Sequence, residues 1–549
     1  MKEKLIKKGI KGKLFSVTLA FAMAFLLLPM NKIVANAAPT PLTFTAEEAG
    51  STVKFSWVSG SSVEYSTDSG STWSSYTANT TISLTNVGDT VSFKGTNVKT
   101  KYDKRFYMTG KIAASGDVTS LTNGIGGDAA LTSECYREMF CNCTSLTSAP
   151  ALPSTTLADS CYKFMFQFCS NLSNAPALPA TSLAKECYDS MFHTCTSLTS
   201  APALPATSLA EECYESMFYK CTSLSNAPAL PATTLASSCY GLMFEDCTNL
   251  TSTPALPATT LASRCYYRMF CGCTSLTSAP ALPATTLAST CYTSMFENCT
   301  NLSSVPALPA TTLKFNCYSN MFSGCTNLTS APVLPATTLA STCYTSMFKD
   351  CTNLSSAPAL PATTLANSCY SNMFSGCTNL IVTETTNASE ATWIFPSTAA
   401  SYWDWNSEMI TGLTAPGTLT DVEAGKMYKV SYVVPLPTPP AAPASSGSSA
   451  NSYSETIDDV IAQLLAMANR LANGEVIENS TVYFKSGDSL PLNMMQTLKK
   501  CPGVTLDFQC TYKGEAYHYA LKGGEGLLID ETIPWYGPLY LQYYYGVVN

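Results

Sequence analysis

The sequence predicts a multidomain chain: an α/β solenoid of ten 26-residue helix-strand units, flanked by an N-terminal β-sandwich and a C-terminal α+β domain. Three observations predict it. Cys-Tyr recurs ten times at a fixed spacing of 26, from Cys135-Tyr136 to Cys369-Tyr370. Apolar residues within each unit fall at helical intervals. One such unit cannot bury its own apolar face, so units must stack. At 549 residues the chain is also too long for a single core.

In chain order, residues 1–37 read as an export signal cleaved between Ala37 and Ala38. Lys2, Lys4, Lys7, Lys8, Lys11 and Lys13 precede an apolar run from Leu14 to Leu28, and Ala35-Asn36-Ala37 is a small-x-small cleavage site. The run is short for a membrane span, which needs about 20 residues. No Cys follows the cut, so a lipoprotein anchor is not expected. The leader carries seven Lys and one Glu, a charge of +6; taken from the whole-chain −8, this leaves −14. An acidic mature chain without basic clusters argues against nucleic acid and anionic membranes as partners. The expected location is secreted or cell-surface, with no integral membrane segment after signal cleavage.

Residues 38–125 alternate as strands over Leu42–Thr45, Val53–Trp57, Val63–Ser66 and Val91–Lys94, with turn residues between them. This predicts a small β-sandwich. Ser66-Thr-Asp-Ser-Gly-Ser-Thr-Trp73 matches the Asp-box pattern of sialidases. A single box in so short a segment reads as a hairpin turn rather than a glycosidase.

The unit over residues 126–380 reads C-Y-x-x-M-F-x-x-C-T-[SN]-L-[TS]-[SN]-A-P-A-L-P-A-T-[TS]-L-A-x-x, with its first Cys as position 0. Leu −4, Ala −3, Cys 0, Tyr +1, Met +4, Phe +5 and Cys +8 form the apolar stripe of an expected helix. In the first unit the core residues are Cys135, Tyr136, Met139, Phe140, Cys143, Leu146 and Leu152, with Leu157 opening the next helix. Positions −2, −1, +2, +3, +6 and +7 vary, and they hold every charged residue of the ten copies except Lys314. Thr at +20 and Thr or Ser at +21 are good N-cap types. The stretch from +10 to +15 reads as a strand with Leu +11 inward, closed by Pro +15 and Pro +18. Stacked strands would make a concave sheet and stacked helices the outer wall.

The run M-F-x-x-C-T-x-L-x-x-A-P-x-L-P-A-T-T-L-A, carried by Met139, Phe140, Cys143, Leu146 and Leu152 and their equivalents, resembles the BspA-like leucine-rich-repeat proteins of bacterial surfaces. The resemblance covers about half the chain. It implies a leucine-rich-repeat horseshoe and a role in adhesion, and it leaves the ligand open.

Twenty of the 24 Cys belong to the repeats. On a continuous helix Cys 0 and Cys +8 would lie about 12 Å apart, too far for a disulfide. Bonds between equivalent Cys of adjacent units are geometrically allowed, giving a cysteine ladder. The reading adopted is buried free thiols that act as small hydrophobes. The array has no CxxC pair, and its one His, His193, sits in a variable column, so no metal is expected. Cys141 and Cys271 stand at +6 and are expected to be exposed thiols. Cys501 and Cys510 are a candidate disulfide.

Residues 381–433, with Trp393, Trp403 and Trp405, are expected to cap the stack. Residues 434–453 read as a Pro/Ser-rich linker. The C-terminal module, residues 454–549, opens with a helix striped by Ile457, Ile461, Leu464, Ala468 and Leu471 behind a capping box at Thr456 and Asp459. A strand at Val482–Phe484, a second helix ending at Cys501-Pro502-Gly503 and strands at Val504–Phe508 and Tyr517–Leu521 complete an α+β pattern.

No catalytic grouping is evident: the mature chain has two His, His193 and His518, in unrelated contexts. No cofactor is expected. L-P-A-T-[TS] mimics a cell-wall sorting signal but lacks its Gly, so these are repeat turns. The expected function is a non-enzymatic exported adhesion protein. Its array would bind a host or matrix protein, a mucin or other glycan, or another bacterial surface component. Two alternatives are a structural spacer in the cell envelope and a hydrolase hidden in the C-terminal module.

Overall fold

The computed structural model describes residues 40–432 except 59, 102 and 103, then 457–472 and, with gaps, 477–541. The expected signal peptide, its cleavage site at Ala37 and Ala38, the linker 434–453 and the capping residue Thr456 lie outside the described residues. The chain divides into two compact units, Met1–Pro435 and Leu436–Asn549.

The first body opens with strands β1 (Leu42–Ala46), β2 (Ser51–Phe55), β3 (Ser62–Ser66), β4 (Ser74–Ser75), β5 (Thr81–Leu84), β6 (Thr90–Thr96), β7 (Phe106–Thr109) and β8 (Ile112–Ser115), then a helical turn α1 (Ser120–Asn123). Alternate side chains of β1 and β2 point inward, the period-two burial that a half-buried strand requires. The strands form two sheets, ordered β5-β2-β7 and β4-β3-β6-β1-β8-β9. The last of these, β9 (Leu146–Ser148), belongs to the first repeat and pairs parallel with β8. The Asp-box segment folds as a closed turn: Asp68 accepts from the Thr72 amide and hydroxyl at 2.9 and 2.6 Å, and Lys94 sits 4.2 Å above the Trp73 ring.

The outer wall of the array is not helical, which corrects the α/β unit expected from the pattern. Its amides divide by parity. In the fifth unit, Cys239, Gly241, Met243, Glu245 and Cys247 each donate to the carbonyl three residues back, the closure of a tight turn. Ser238, Tyr240, Leu242, Phe244 and Asp246 instead donate to Ser263, Cys265, Tyr267, Met269 and Cys271 of the next unit, at 2.7–3.1 Å. Ser238, Leu242 and Asp246 are left-handed, with φ of 53°, 56° and 59°, and the same three columns are left-handed in nearly every unit. An α-helix needs every amide to reach four residues back and every φ to be negative. The sequence period explains the difference. Buried pairs at −4/−3, 0/+1, +4/+5 and +8 recur every four residues, whereas a helix turns every 3.6. Over twelve residues such a stripe drifts by about 120° around a helix. Consecutive four-residue turns keep it on one side.

The buried columns form continuous stacks. Tyr +1 rings lie 5.7–6.1 Å apart from Tyr162 to Tyr370, within 11° of parallel, and the Phe +5 rings lie alongside at 5.5–5.8 Å from Phe166 onward. The Cys +8 thiol donates to the Phe +5 carbonyl of the preceding unit, for instance Cys247 Sγ to Phe218 O at 3.1 Å. Among the described residues, the buried hydroxyls of Tyr162, Tyr266 and Tyr318 have no hydrogen-bond partner.

The expected strand also shrinks. Beyond β9, neighbouring units share isolated parallel bridges at +13, such as Asn226 with Ser252, and at +21, such as Thr260 with Thr286. Leu +11 turns its amide back to the Cys +8 carbonyl, and Pro +15 and Pro +18 have no amide to offer. No longer ladder can form between them.

Both ends of the stack are closed by segments that imitate a unit. At the N-terminal end the Phe106 amide donates to Met139 O at 3.0 Å, its carbonyl accepts from the Cys143 thiol, and its ring stacks on Phe140 at 5.4 Å. Those are the contacts a Phe +5 makes. Thr100 likewise takes the Tyr +1 place, donating to Cys135 O. At the C-terminal end, β10 (Leu380–Glu384), β11 (Trp393–Ile394) and β12 (Met427–Tyr432) form a small sheet. Residues 403–412 then repeat the wall: Trp403, Trp405, Ser407, Met409 and Thr411 accept from Ser368, Tyr370, Asn372, Phe374 and Gly376 at 2.8–2.9 Å. Asp404, Glu408 and Gly412 supply its left-handed positions.

In the second body, α2 (Ile457–Ala472) precedes β13 (Ser480–Ser486), β14 (Leu490–Pro491), α3 (Leu492–Lys499), β15 (Val504–Tyr512), β16 (Glu515–Lys522) and β17 (Trp535–Tyr536). β13 and β15 are parallel and connected through α3; β15 and β16 form an antiparallel pair. Val482, Phe484, Leu506, Phe508, Tyr519 and Leu521 share a core with Val460, Leu464, Met494 and Leu498. Among the described residues no helix is long and apolar enough to cross a membrane.

Candidate functional site

The residues between Cys +8 and the next wall make the least ordinary surface of the array. From +9 to +22, units one to nine carry no charged residue. Leu +11, Leu +17 and, from the second unit, Ala +19 point into the core, while Ala +16 and Thr +20 are exposed and Pro +18 mostly so. Ser or Thr at +12 turns both amide and hydroxyl to the +12 carbonyl of the preceding unit, as Thr251 does to Ser225 at 3.1 and 3.2 Å.

Proline shapes what lies between the +13 and +21 bridges. The Ala-Pro-Ala-Leu-Pro segments of adjacent units have too few amides to zip together, so open grooves run between neighbouring units. One is lined by Pro254, Ala255, Leu256, Pro257, Pro280 and Pro283 and holds about 290 Å³; equivalent grooves lie at Pro202–Pro231 and Leu282–Pro309. The result is a row of shallow apolar grooves at the unit spacing, edged by exposed Ser, Asn and Thr. A polymer with alternating apolar and hydroxyl faces meets the same chemistry at each step.

The expected core residues lie as follows. Cys135, Tyr136, Met139, Phe140, Cys143, Leu146 and Leu152 are buried, and Leu157 is half-buried. Cys141 and Cys271 are not exposed thiols: they are 5% and 3% accessible. Their column lies at the lip of the wall, where long neighbours cover a small side chain; Arg268 reaches Cys271 Sγ at 3.2 Å and Gln167 meets Cys141. Burial raises both thiols, Cys271 to about 12. Burial likewise raises Cys135 and Cys143 to about 12, which favours the protonated thiol, and the repeat cysteines are free. Cys501 is not joined to Cys510; its thiol donates instead to the carbonyls of Leu464 and Thr497 at 3.2 and 3.3 Å.

Sequence reasoning missed Phe106 and Thr100, whose strand pattern gives no hint that they stand in for a repeat. It also missed the wall at 403–412, where M-I-x-G-L echoes M-F-x-x-C after a ten-residue insertion. His518, read as isolated, lies 2.9 Å from Asp507 across β15 and β16. Among the described residues no cluster of His, Cys, Asp and Glu fits a metal ion.

Residues 132–251 and 241–381 match the family model of the BspA type leucine rich repeat region, in six copies. No curated protein matches the chain. Among solved structures, the crystal structure of the TLR13-ssRNA13 complex aligns at 13% identity and a TM-score of 0.22, over 44% of this chain and 33% of that one. The chain therefore spans about a third of that structure's length. The family match falls on the columns that build the wall and the grooves: the array, over residues 132–381, is a BspA-type leucine-rich-repeat region.

Proposed function

We propose that this is an exported, non-enzymatic surface protein whose array binds an uncharged, repetitive polymer, a neutral glycan chain, along the grooved face. One observation carries the reading. Polar and apolar columns continue without a charge through nine units, and the apolar grooves recur at the unit spacing. Proline rings and alanine methyls offer apolar support to the C–H faces of sugars, and the exposed Ser, Thr and Asn offer hydrogen bonds. Such binding is insensitive to salt, because no ion pair is involved.

The test is a panel of neutral polysaccharides, mucin and matrix proteins against the full mature chain, beside Ala255→Glu/Ala281→Glu/Ala307→Glu. Those three alanines are exposed in successive grooves, so the fold survives the change. Salt-independent binding lost in the variant supports the reading. Absence of binding across the panel, or binding untouched by the variant, overturns it and favours a spacer that displays its end domains.

A further inference from the structure

The six outward columns of the wall differ sharply along the array. In units seven to ten they hold mostly Ser, Thr, Asn and Gly. In units two to four they hold Asp159, Glu186, Asp189, Glu211, Glu212 and Glu215 against Lys163, Lys185 and Lys220, together with Phe164, Phe168, His193 and Tyr219. Phe164 lies beneath Arg137 and Lys163, and Tyr219 beneath Lys220, whereas Phe168 is left exposed.

The charges are unevenly satisfied. Lys163 pairs with Glu186 and Asp189, the latter at 2.7 Å, and Lys185 with Glu211 at 3.2 Å. Glu212 and Glu215 have no ion pair among the described residues. Burial, then the neighbouring charges of Asp189 and Glu212, pushes the Glu215 carboxyl up to about 7. In the next unit the +2 column holds Gly241, where an added Cβ would stand 3.6 Å from Glu215 Oε1, so that column places no side chain over the half-buried carboxylate. One turn along the same wall, at +6 and +7, His193 stacks on Tyr219 at 4.5 Å and Phe168 meets His193 edge-on at 5.4 Å. Phe168 remains 38% exposed.

We propose that the outer wall of units two to four is a second docking surface, for a protein segment that alternates basic and apolar side chains. Glu212 and Glu215 take the ammonium or guanidinium groups, and the Phe168–His193–Tyr219 row takes the apolar ones. Charge complementarity selects this occupant: carboxylates without an ion pair share the wall with the exposed ring of Phe168 and the half-buried rings of His193 and Tyr219, and basic side chains add a cation–π contact to the rings they cross. The surface is separate from the grooved face and independent of what binds there.

The probe is a labelled peptide of alternating Lys and Leu, titrated by fluorescence anisotropy against the full mature chain at low and physiological salt. Glu212→Gln/Glu215→Gln is expected to weaken binding about tenfold, the equivalent of about 1.4 kcal/mol. Phe168→Ser/Tyr219→Ser should weaken it without changing the salt dependence. Glu47→Gln/Glu48→Gln removes the same net charge from the β domain and should leave affinity within about twofold, since distant surface charges are screened. Equal loss in both acidic variants would mean attraction to net charge alone and overturns the proposal, as does absence of binding or indifference to the ring variant. Thermal melts no lower than the parent's keep a folding defect from imitating the expected loss.

Discussion

Replacing Phe106 by Ala tests whether the β domain holds the array by impersonating a repeat. Phe106 is fully buried, with Phe55 at 3.9 Å, Phe44 at 4.8 Å, Phe140 at 5.4 Å and Phe93 at 5.5 Å between ring centroids. Truncating such a ring costs about 3–5 kcal/mol through lost burial and the cavity left behind. The same change removes the first ring of the Phe column, so the loss falls on the junction between domain and stack. In a stack whose units touch only their neighbours, damage at one end frays that end first. Pulsed alkylation along a denaturant series, read by peptide mass, should show Cys143 and Cys161 modified before Cys325 and Cys351, an order the unmodified protein lacks. A destabilisation below about 1 kcal/mol, or uniform exposure of all the thiols, would refute the impersonated repeat.

Other perturbations reach other parts of the argument. A thiol reagent at pH 8 should leave native repeat cysteines unlabelled and react with all 24 after denaturation, because burial keeps the thiols protonated; labelling of Cys141 or Cys271 in the native protein would contradict the placement. Glu215→Gln should raise stability at pH 8 by about 1–2 kcal/mol and leave it unchanged at pH 4, measured by thermal melts. The folded carboxyl titrates near 7 against 4.5 for the free group, so the burden of ionising it grows between those values and is complete above them. Tyr266→Phe should be neutral or stabilising by up to about 1 kcal/mol, because a buried hydroxyl without a partner is removed; a clear loss would reveal a partner. Trp405→Ala should fray the opposite end, exposing Cys369 and Cys377 first in the same alkylation assay, since Trp405 is buried and its carbonyl accepts from Tyr370.

What the sequence made legible was which columns are buried. That property follows from side-chain chemistry alone, and Tyr136, Met139 and Phe140 and their equivalents lie inside as their apolar surfaces demand. The backbone that carries them was less legible. Positions 0, +1, +4, +5 and +8 satisfy a helical template over one or two turns, and only the absence of drift over twelve residues separates turns of four from a helix. Composition was divided as well. The left-handed columns −1 and +3 hold mostly Ser, Glu, Thr, Arg and Leu242, types that rarely accept positive φ, whereas +7 holds mostly Asn, Asp and Gly, which accept it. Local preference loses there because each left-handed residue frees amides to bond with the next unit, and that bond does not exist in an isolated 26-mer.

The ends show the same limit from another side. Ten copies are countable because Cys-Tyr marks them; the wall at 403–412 has no Cys-Tyr, and the residue in its Cys place, Trp405, comes 36 residues after Cys369 instead of 26. Trp405 stands where Cys would, Ile410 where Phe would and Leu413 where the second Cys would. Met409 alone keeps its type, and Gly412 keeps the left-handed position that Gly376 holds one unit earlier. A terminal wall is freed from matching a following unit, so its side chains need only fill the core from one side. The inserted segment then sets Trp393 against Phe374 at 5.1 Å and Phe395 against Tyr370 at 6.2 Å, covering the last ring of each column with a residue from outside the repeat. The wall amides of each unit point toward the unit after it, so the two ends of the stack are chemically unlike. The first unit presents carbonyls, which the β domain meets with the amides of Thr100 and Phe106. The last presents amides, and an extra turn wall meets them with carbonyls in the same geometry. An acceptor end and a donor end cannot share one kind of cap, and that is the physical reason the two flanking segments differ in fold while doing the same work.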